Sequence, residues 1–453
     1  MRVVAGVFFY PRGGSAQVVR SLARALPPAG WEATIAAGSL GQPGERGHAA
    51  TFYAGLDVHA VDYTPAFALA DPLAAEVPFQ PSYEDRPGSP DRVFAAVPDD
   101  AYERLVDAWA DALARAGAAE ADVLHLHHLT PLHEAARRRF PDVPVVGELH
   151  GTELAFLREL EAGAPHGWPH AEAWHERMRR WAHACERLVV SAADAVDEAE
   201  RLLGIDPARV VTIPNGIDPE RFDRRPLGAT GRLAYWRRRL VEEPRGWDES
   251  GLPGSVRYAD ADLEPFRAGG PVLLYSGRFT AVKRVPLLVR AHARASRRLA
   301  RPAPLVLVGG HPGEWEGEHP LAAVRAAGSR DVFLAGWHDH DELPAAMNAA
   351  DLLVLPSVAD AFGLVLVEAM ACGLPVIACD AHGPRTIVEP GETGWLVPPD
   401  DEDALADAIV DAVDDGEERR RRGALAYERS RARYAWPALA ERLARVYADA
   451  AGA

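Results

Sequence analysis

The sequence predicts an α/β protein of two doubly wound, Rossmann-like domains facing across a cleft, and three observations carry that prediction. Short apolar runs alternate with amphipathic stretches almost throughout, the pattern of parallel strands joined by crossover helices. The alternation runs its course twice, with a polar, proline- and arginine-rich stretch between the two series. A chain of 453 residues is also too long for one hydrophobic core, so two domains of ordinary size are expected.

In the first series Arg2–Phe8, Glu32–Ala36, Val123–Leu126, Val145–Leu149, Leu188–Ser191 and Val210–Ile213 read as buried strands. Helical spacing falls at Ser15–Leu26, Ala101–Ala116, Ala171–Cys185 and Ala192–Leu203. The join opens with Asn215-Gly216-Ile217-Asp218-Pro219, strong turn chemistry. In the second series the strands are Val272–Ser276, Leu305–Val308, Val332–Leu334, Leu352–Leu355, Val376–Ala378 and Trp395–Val397. Helices are expected near Pro286–Arg298, His319–Ala327, Asp341–Asn348 and Leu364–Ala371. The resulting division is a first domain at 1–220, an irregular linker or insertion at 221–268 and a second domain at 269–432. A last helix within 433–453 is expected to cross back to the first domain.

Composition narrows the function. Apolar residues are 48% of the chain and charged residues 25%, which is globular. A formal charge of −17 argues against a protein that grips nucleic acid or an anionic membrane. The arginine clusters Arg137–Arg139 and Arg419–Arg422 read as solvated helix ends. Cys185, Cys372 and Cys379 are an odd number without metal-ligand spacing, pointing to reduced thiols and a cytoplasmic location. The opening MRVVAGVFFYPRGG reads as a buried strand, not a signal peptide. No apolar run is long enough to span a bilayer. Among 49 Lys+Arg residues only Lys283 is a lysine. A chain so biased towards arginine keeps a lysine where arginine cannot do the job.

Two segments carry the chemistry. In Leu273–Arg284 an apolar strand ends at Gly277, which lets the backbone approach a ligand closely. Arg278 and Lys283 follow in the loop, and a guanidinium with an ammonium can neutralise a diphosphate leaving group. In Asp360–Pro375, Phe362-Gly363 opens a helix whose free N–H groups face an anion. Glu368 sits little more than a turn inside that helix, where a carboxylate can accept hydrogen bonds from a ribose diol. Asp360 has two readings, a contact to sugar hydroxyls or a helix cap.

These segments, in this order, resemble the retaining glycosyltransferases of family 4, or glycosyl transferases group 1, which have the GT-B fold. The family's Gly-Arg-x4-Lys stretch is matched by Gly277, Arg278 and Lys283, and its Glu-x7-Glu signature by Asp360 through Glu368. Glu368–Val376, Asn215–Asp218, Pro356-Ser357 and Gly391–Val397 match further family motifs, from the first strand to about residue 400. The resemblance implies a diphosphate clamp of Arg278 and Lys283 and a ribose contact at Glu368. It also implies a phosphate and sugar cradle at Gly363, Leu364 and Val365, and a glycine loop at Gly13 and Gly14 beneath the donor phosphates. His150 is implied near the reacting sugar carbon, and Trp337 and His338 at the nucleotide base. His125–His128 is given an acceptor-side role. Asp360 is shorter than the usual glutamate, and Thr386 stands where the family's later glutamate is usual. Both departures bear on the donor sugar.

Together the residues and the resemblance imply a retaining transferase that moves sugar from a nucleotide-diphosphate sugar, such as a UDP-sugar, to a small-molecule or glycoside acceptor. No metal or other cofactor is expected, since positioning and charge stabilisation do the work. No nucleic acid and no transmembrane segment enter the reading, and oligomeric state is open. Asp260-Ala261-Asp262 looks like the metal-binding DxD of another transferase fold, but no strand flanks it and it reads as surface. A glycan phosphorylase, a sugar-nucleotide epimerase and a non-catalytic nucleotide-sugar binder are the alternatives. A nicotinamide dehydrogenase is disfavoured, because no G-x-G-x-x-G follows the first strand.

Overall fold

The strands form two separate sheets, each parallel throughout. The structure, a computed structural model, describes every residue except Arg12, Ala75, residues 85–90 and Ala453. The chain divides into two compact units, Met1–Asn215 with Trp436–Ala453, and Gly216–Ala435.

The first unit's sheet has seven strands: β1 (Arg2–Val7), β2 (Glu32–Ser39), β3 (Val58–Asp62), β4 (Val123–His127), β5 (Val145–Leu149), β6 (Arg187–Val190) and β7 (Val210–Thr212). Their order is β3-β2-β1-β4-β5-β6-β7. The chain winds one way from β1 to β3, then returns past β1 and winds the other way. Strand order therefore reverses between β1 and β4, and in such sheets ligands bind at the carboxyl ends of the strands flanking that reversal. Tyr10, Pro11, Gly13 and Gly14 stand there with His127 and His128. The helix Trp436–Ala451 packs on this unit, seating Leu439, Leu443 and Tyr447 with Val3, Val123 and Val146.

The second unit repeats the design with six strands: β8 (Leu273–Gly277), β9 (Leu305–Gly309), β10 (Val332–Gly336), β11 (Leu352–Leu355), β12 (Val376–Cys379) and β13 (Gly394–Val397). The order β10-β9-β8-β11-β12-β13 reverses between β8 and β11. The loops after these two strands carry Arg278 and Lys283 in one case and Asp360 in the other. Parallel strands are covered on both faces, so they run nearly continuously apolar; β9 and β11 are buried along their whole lengths.

Three details differ from expectation. Strand β3 went unread because it lies at the sheet's edge, with Val61 its one buried residue. Residues 221–268, expected as an irregular linker or insertion, are irregular over much of their length but carry core residues. They belong to the second unit, and Trp236, Trp247 and Leu263 lie fully inside its core. The indole N–H of Trp236 donates to Ala349 O at 2.9 Å, and that of Trp247 to Gly310 O at 2.9 Å. The Arg419–Arg422 cluster is solvated only in part: Arg420 and Arg421 are exposed, while the other two are engaged. Arg422 lies over the Trp395 ring at 3.9 Å and donates to Gly394 O, while Arg419 donates to Ala412 O and Val413 O. The three cysteines are buried and free, and among the described residues no helix is long and apolar enough to cross a membrane.

Candidate active site

At the second unit's reversal point two loops are tied together by the backbone. β8 ends at Gly277, and the Tyr275 hydroxyl turns back to donate to Arg278 O at 2.7 Å. A tight turn at Ala281–Lys283 follows. Its Val282 carbonyl accepts from Val358 N at 3.0 Å and from the Ser357 hydroxyl at 3.3 Å, both in the loop after β11. This lacing brings Lys283 Nζ to 2.5 Å from Asp360 Oδ1. The two side chains are only 15% and 17% exposed. Burial pushes the Asp360 carboxyl up, but the Lys283 charge and hydrogen bond pull it further down, with Ser357 and Arg278 adding to the pull. The Asp360 carboxyl is therefore held in its ionised form. Asp360 Oδ2 is buried and makes no hydrogen bond. Arg278 is exposed at the rim.

Gly363 then starts the helix Leu364–Ala371 from a left-handed backbone at φ 92°, which only glycine adopts at little cost. Gly383 closes the other side, donating its N–H to Asp360 O at 3.0 Å. A Cβ there would meet Phe362 Cα at 2.3 Å, so a side chain would push the loop away from Asp360. Glu368 is buried within the helix. His340 Nε2 lies 2.5 Å from its Oε1, with Phe222 against the histidine ring at 5.3 Å between centroids. Burying that carboxylate demands a partner, and His340 supplies it.

In the first unit the chemistry gathers at the carboxyl ends of β4 and β5. His150 Nε2 lies 2.9 Å from His127 Nδ1, and its backbone N–H donates to Glu153 Oε1 at 2.8 Å. Burial, then the neighbouring His128, pushes the His150 imidazole down to about 4. Glu153 is fully buried; burial alone would raise its carboxyl, but His128 and then His150 bring it down to about 2. His128 holds a left-handed backbone at φ 63°, unusual for a residue with a side chain and a mark of a constrained site. Gly13 and Gly14 lie exposed at the start of the helix Gly14–Ala25. Both backbones are compatible with other residues, and an added Cβ would meet nothing within 4 Å.

Residues 12–221 match the family described as Glycosyltransferase Family 4, and residues 260–429 match Glycosyl transferases group 1. A D-inositol 3-phosphate glycosyltransferase 1 of Catenulispora acidiphila is 32% identical over 346 residues, which is 73% of this chain and 72% of that protein. The chain belongs to glycosyltransferase family 4. Among solved structures, sucrose-phosphate synthase from Thermosynechococcus elongatus superposes with a TM-score of 0.67 at 21% identity, over 99% of this chain and 98% of the other. Anabaena HepE in complex with UDP-glucose gives 0.67 at 18% identity, over 99% and 100%. Both likenesses concern the fold, which is GT-B.

Within this family 4 glycosyltransferase the structure sorts the remaining candidates. Gly277, Arg278, Lys283, Asp360, Phe362, Gly363, Leu364, Val365 and Glu368 stand on the loops and helix beside the β8–β11 reversal. Trp337 is half-buried at the end of β10, edge-on to His311 at 5.8 Å. His338 turns inward: its side chain is 2% exposed, and Nδ1 faces Glu342 Oε2 at 3.4 Å. Glu342 also pairs with Arg239 at 2.9 Å and Arg245 at 2.8 Å. The His338 ring is thus buried beside an ion-pair network. Thr386 donates its hydroxyl to Gly383 O at 2.7 Å, so it braces the very loop that approaches Asp360. Asp260 pairs with Arg237 at the surface, and Asp262 caps Ala259 N.

His340 is the residue that sequence reasoning missed. It precedes Glu368 by 28 positions, and no spacing rule links them. The usable signal was Glu368 itself, since a carboxylate in so apolar a stretch calls for a partner.

Proposed function

We propose that the chain transfers a sugar from a nucleotide-diphosphate sugar to an acceptor hydroxyl, with retention of anomeric configuration and without a metal at the donor. The observation that carries this is the meeting of Lys283 with Asp360, beside Arg278, at the reversal point of the second sheet. Lys283 and Arg278 take the diphosphate, Lys283 as a compact charge and Arg278 as a planar fork. The start of the helix at Gly363–Val365 adds backbone N–H groups and the positive end of its dipole. Glu368, steadied by His340, meets the ribose diol. Asp360, released from Lys283 by the incoming diphosphate, is left with both oxygens for sugar hydroxyls.

On this reading the departing phosphate accepts the acceptor's proton on the face it leaves, and the protein contributes position and charge. The family resemblance assigns His150 to the reacting carbon and Gly13 and Gly14 to the donor phosphates. Among the described residues no neighbour gives those two glycines a steric reason, which supports a ligand as their reason. The acceptor is a small soluble molecule or glycoside. Free, buried cysteines support a reducing, cytoplasmic setting.

Calorimetric titration with UDP, GDP, ADP and dTDP, with and without magnesium, tests the donor half. One diphosphate binding tightly without metal supports the assignment and names the donor class. Binding of none of them removes the clamp, and a phosphorylase or a non-catalytic fold takes its place.

A further inference from the structure

Two histidines and a glutamate meet inside the first unit in a way hydrogen bonding alone leaves incomplete. His125 and His127 are i and i+2 on β4, so their side chains leave the same face of the sheet. His127 is the register partner of Glu148 on β5, which brings the carboxylate to that face. One nitrogen from each imidazole and one Glu148 oxygen all lie within 4.8 Å of one another. Glu148 Oε2 is 3.1 Å from His125 Nε2 and 3.6 Å from His127 Nδ1, with all three side chains buried.

The ring nitrogens divide into two kinds. His125 Nδ1 is engaged by the Tyr447 hydroxyl at 2.7 Å, and His127 Nδ1 by His150 Nε2 at 2.9 Å. His125 Nε2 faces Glu148 Oε2 at 3.1 Å, and His127 Nε2 is buried and makes no hydrogen bond. A buried polar atom without a partner calls for an explanation. His125, with its Nδ1 held by an outer partner and its Nε2 turned to the carboxylate, is arranged as a metal-ligating histidine is.

We propose that His125, His127 and Glu148 bind one divalent transition-metal ion, with zinc the first candidate. Two imidazoles and a carboxylate suit Zn²⁺, Co²⁺ or Ni²⁺, whereas magnesium prefers oxygen ligands alone. Three protein ligands leave a fourth position for water or an added group. Metal–ligand distances near 2.0–2.1 Å place tetrahedral ligand atoms about 3.4 Å apart. The 3.1 Å from Glu148 Oε2 to His125 Nε2 and the 3.6 Å to His127 Nδ1 bracket that spacing, which makes Nδ1 the ligand atom of His127. Tyr447 is the outer partner that fixes the His125 imidazole, and His150 Nε2 faces the His127 ligand atom at 2.9 Å. The site stands in the first unit and does not depend on the donor reading.

The test uses untagged full-length protein from zinc-supplemented culture, washed with chelator and assayed for metal by emission spectrometry. About one zinc per chain is expected, and chelator-stripped protein is expected to bind Co²⁺ with the visible absorption of a site of low coordination number. His127→Ala and Glu148→Gln are expected to weaken Zn²⁺ binding by about tenfold to a hundredfold or more. His311→Ala, at an exposed histidine, is expected to leave it unchanged. Absence of zinc together with no Co²⁺ spectrum overturns the proposal. So does unchanged affinity in both site variants. If the variants fail to fold, X-ray absorption on the wild-type zinc protein decides: nitrogen and oxygen neighbours with imidazole scattering uphold the site, and sulfur neighbours overturn it.

Discussion

Lys283 Nζ sits 2.5 Å from Asp360 Oδ1, so the only lysine of the chain is held by the first carboxylate of the 360–368 stretch. The pair joins the loops after β8 and β11, and each partner sets the other's charge and place. Removing Lys283 leaves an uncompensated carboxylate, which then protonates or rehydrates. Lys283→Ala is expected to lower kcat/KM for transfer by about 10²- to 10³-fold, with the circular dichroism spectrum unchanged. Lys283→Arg is expected to recover little, because a fork does not replace a compact charge. Turnover at the wild-type rate in Lys283→Ala sinks the clamp.

Asp360 faces the donor sugar if the clamp opens as proposed. Replacing it with Glu adds one methylene and is expected to change the ranking of donor sugars more than the affinity for the bare nucleotide. Competition kinetics across several sugars on one nucleotide checks this. An unaltered ranking reduces Asp360 to a counter-ion for Lys283.

On the proposed reading Glu368, steadied by His340, meets the nucleotide. Glu368→Gln is expected to weaken nucleoside-diphosphate binding by about tenfold, the worth of one hydrogen bond to a charged group. It is also expected to erase discrimination against the 2′-deoxy nucleotide. Calorimetry with the ribo and deoxy ligands reads both effects. Equal loss for the two ligands places Glu368 away from the ribose.

His338 supplies a pH signature. Burial and then Arg239 push its imidazole from 6.5 down to about 4, while Glu342 opposes them. The unfolded chain therefore takes up a proton below about pH 6.5 that the folded chain refuses until about pH 4. This contribution to stability is full above 6.5 and is lost as the pH falls towards 4. Glu342, brought down to about 2 against burial by Asp339 N and Arg239, loses its own contribution only below 4.5. His338→Gln is expected to show a smaller fall in Tm than wild type between pH 7 and 5. Parallel melting curves for the two proteins test it, and identical slopes remove His338 as a source.

Trp236 tests the place of 221–268. Trp236→Ala is expected to destabilise the second unit by about 3–5 kcal/mol, as deletion of a fully buried ring does. Denaturant unfolding followed by limited proteolysis shows whether the cleavages fall within residues 216–435. A loss under 1 kcal/mol returns the segment to the role of a linker.

The strands were legible where both faces are covered, because β9 and β11 read as unbroken apolar runs. β3 was not, since an edge strand with one buried residue carries no such run. Trp236 and Trp247 were hidden by charged neighbours that pair on the surface, so helical periodicity failed there. Within the site, Arg278, Lys283, Asp360 and Glu368 are local in sequence and were read from their order. The Lys283–Asp360 and His340–Glu368 contacts join loops 77 and 28 residues apart. Only the sheet order brings them together.

The helix Trp436–Ala451 has a consequence for how the chain is made. It covers a sheet whose last strand, β7, ends at Thr212. A ribosome therefore completes the whole second unit before it delivers the residues that finish the first. During that interval Val3, Val123 and Val146 lack their cover, and His125 lacks the Tyr447 hydroxyl. The half made first is the half that matures last, and an early stop near residue 435 would spare the second core while leaving the first unsealed.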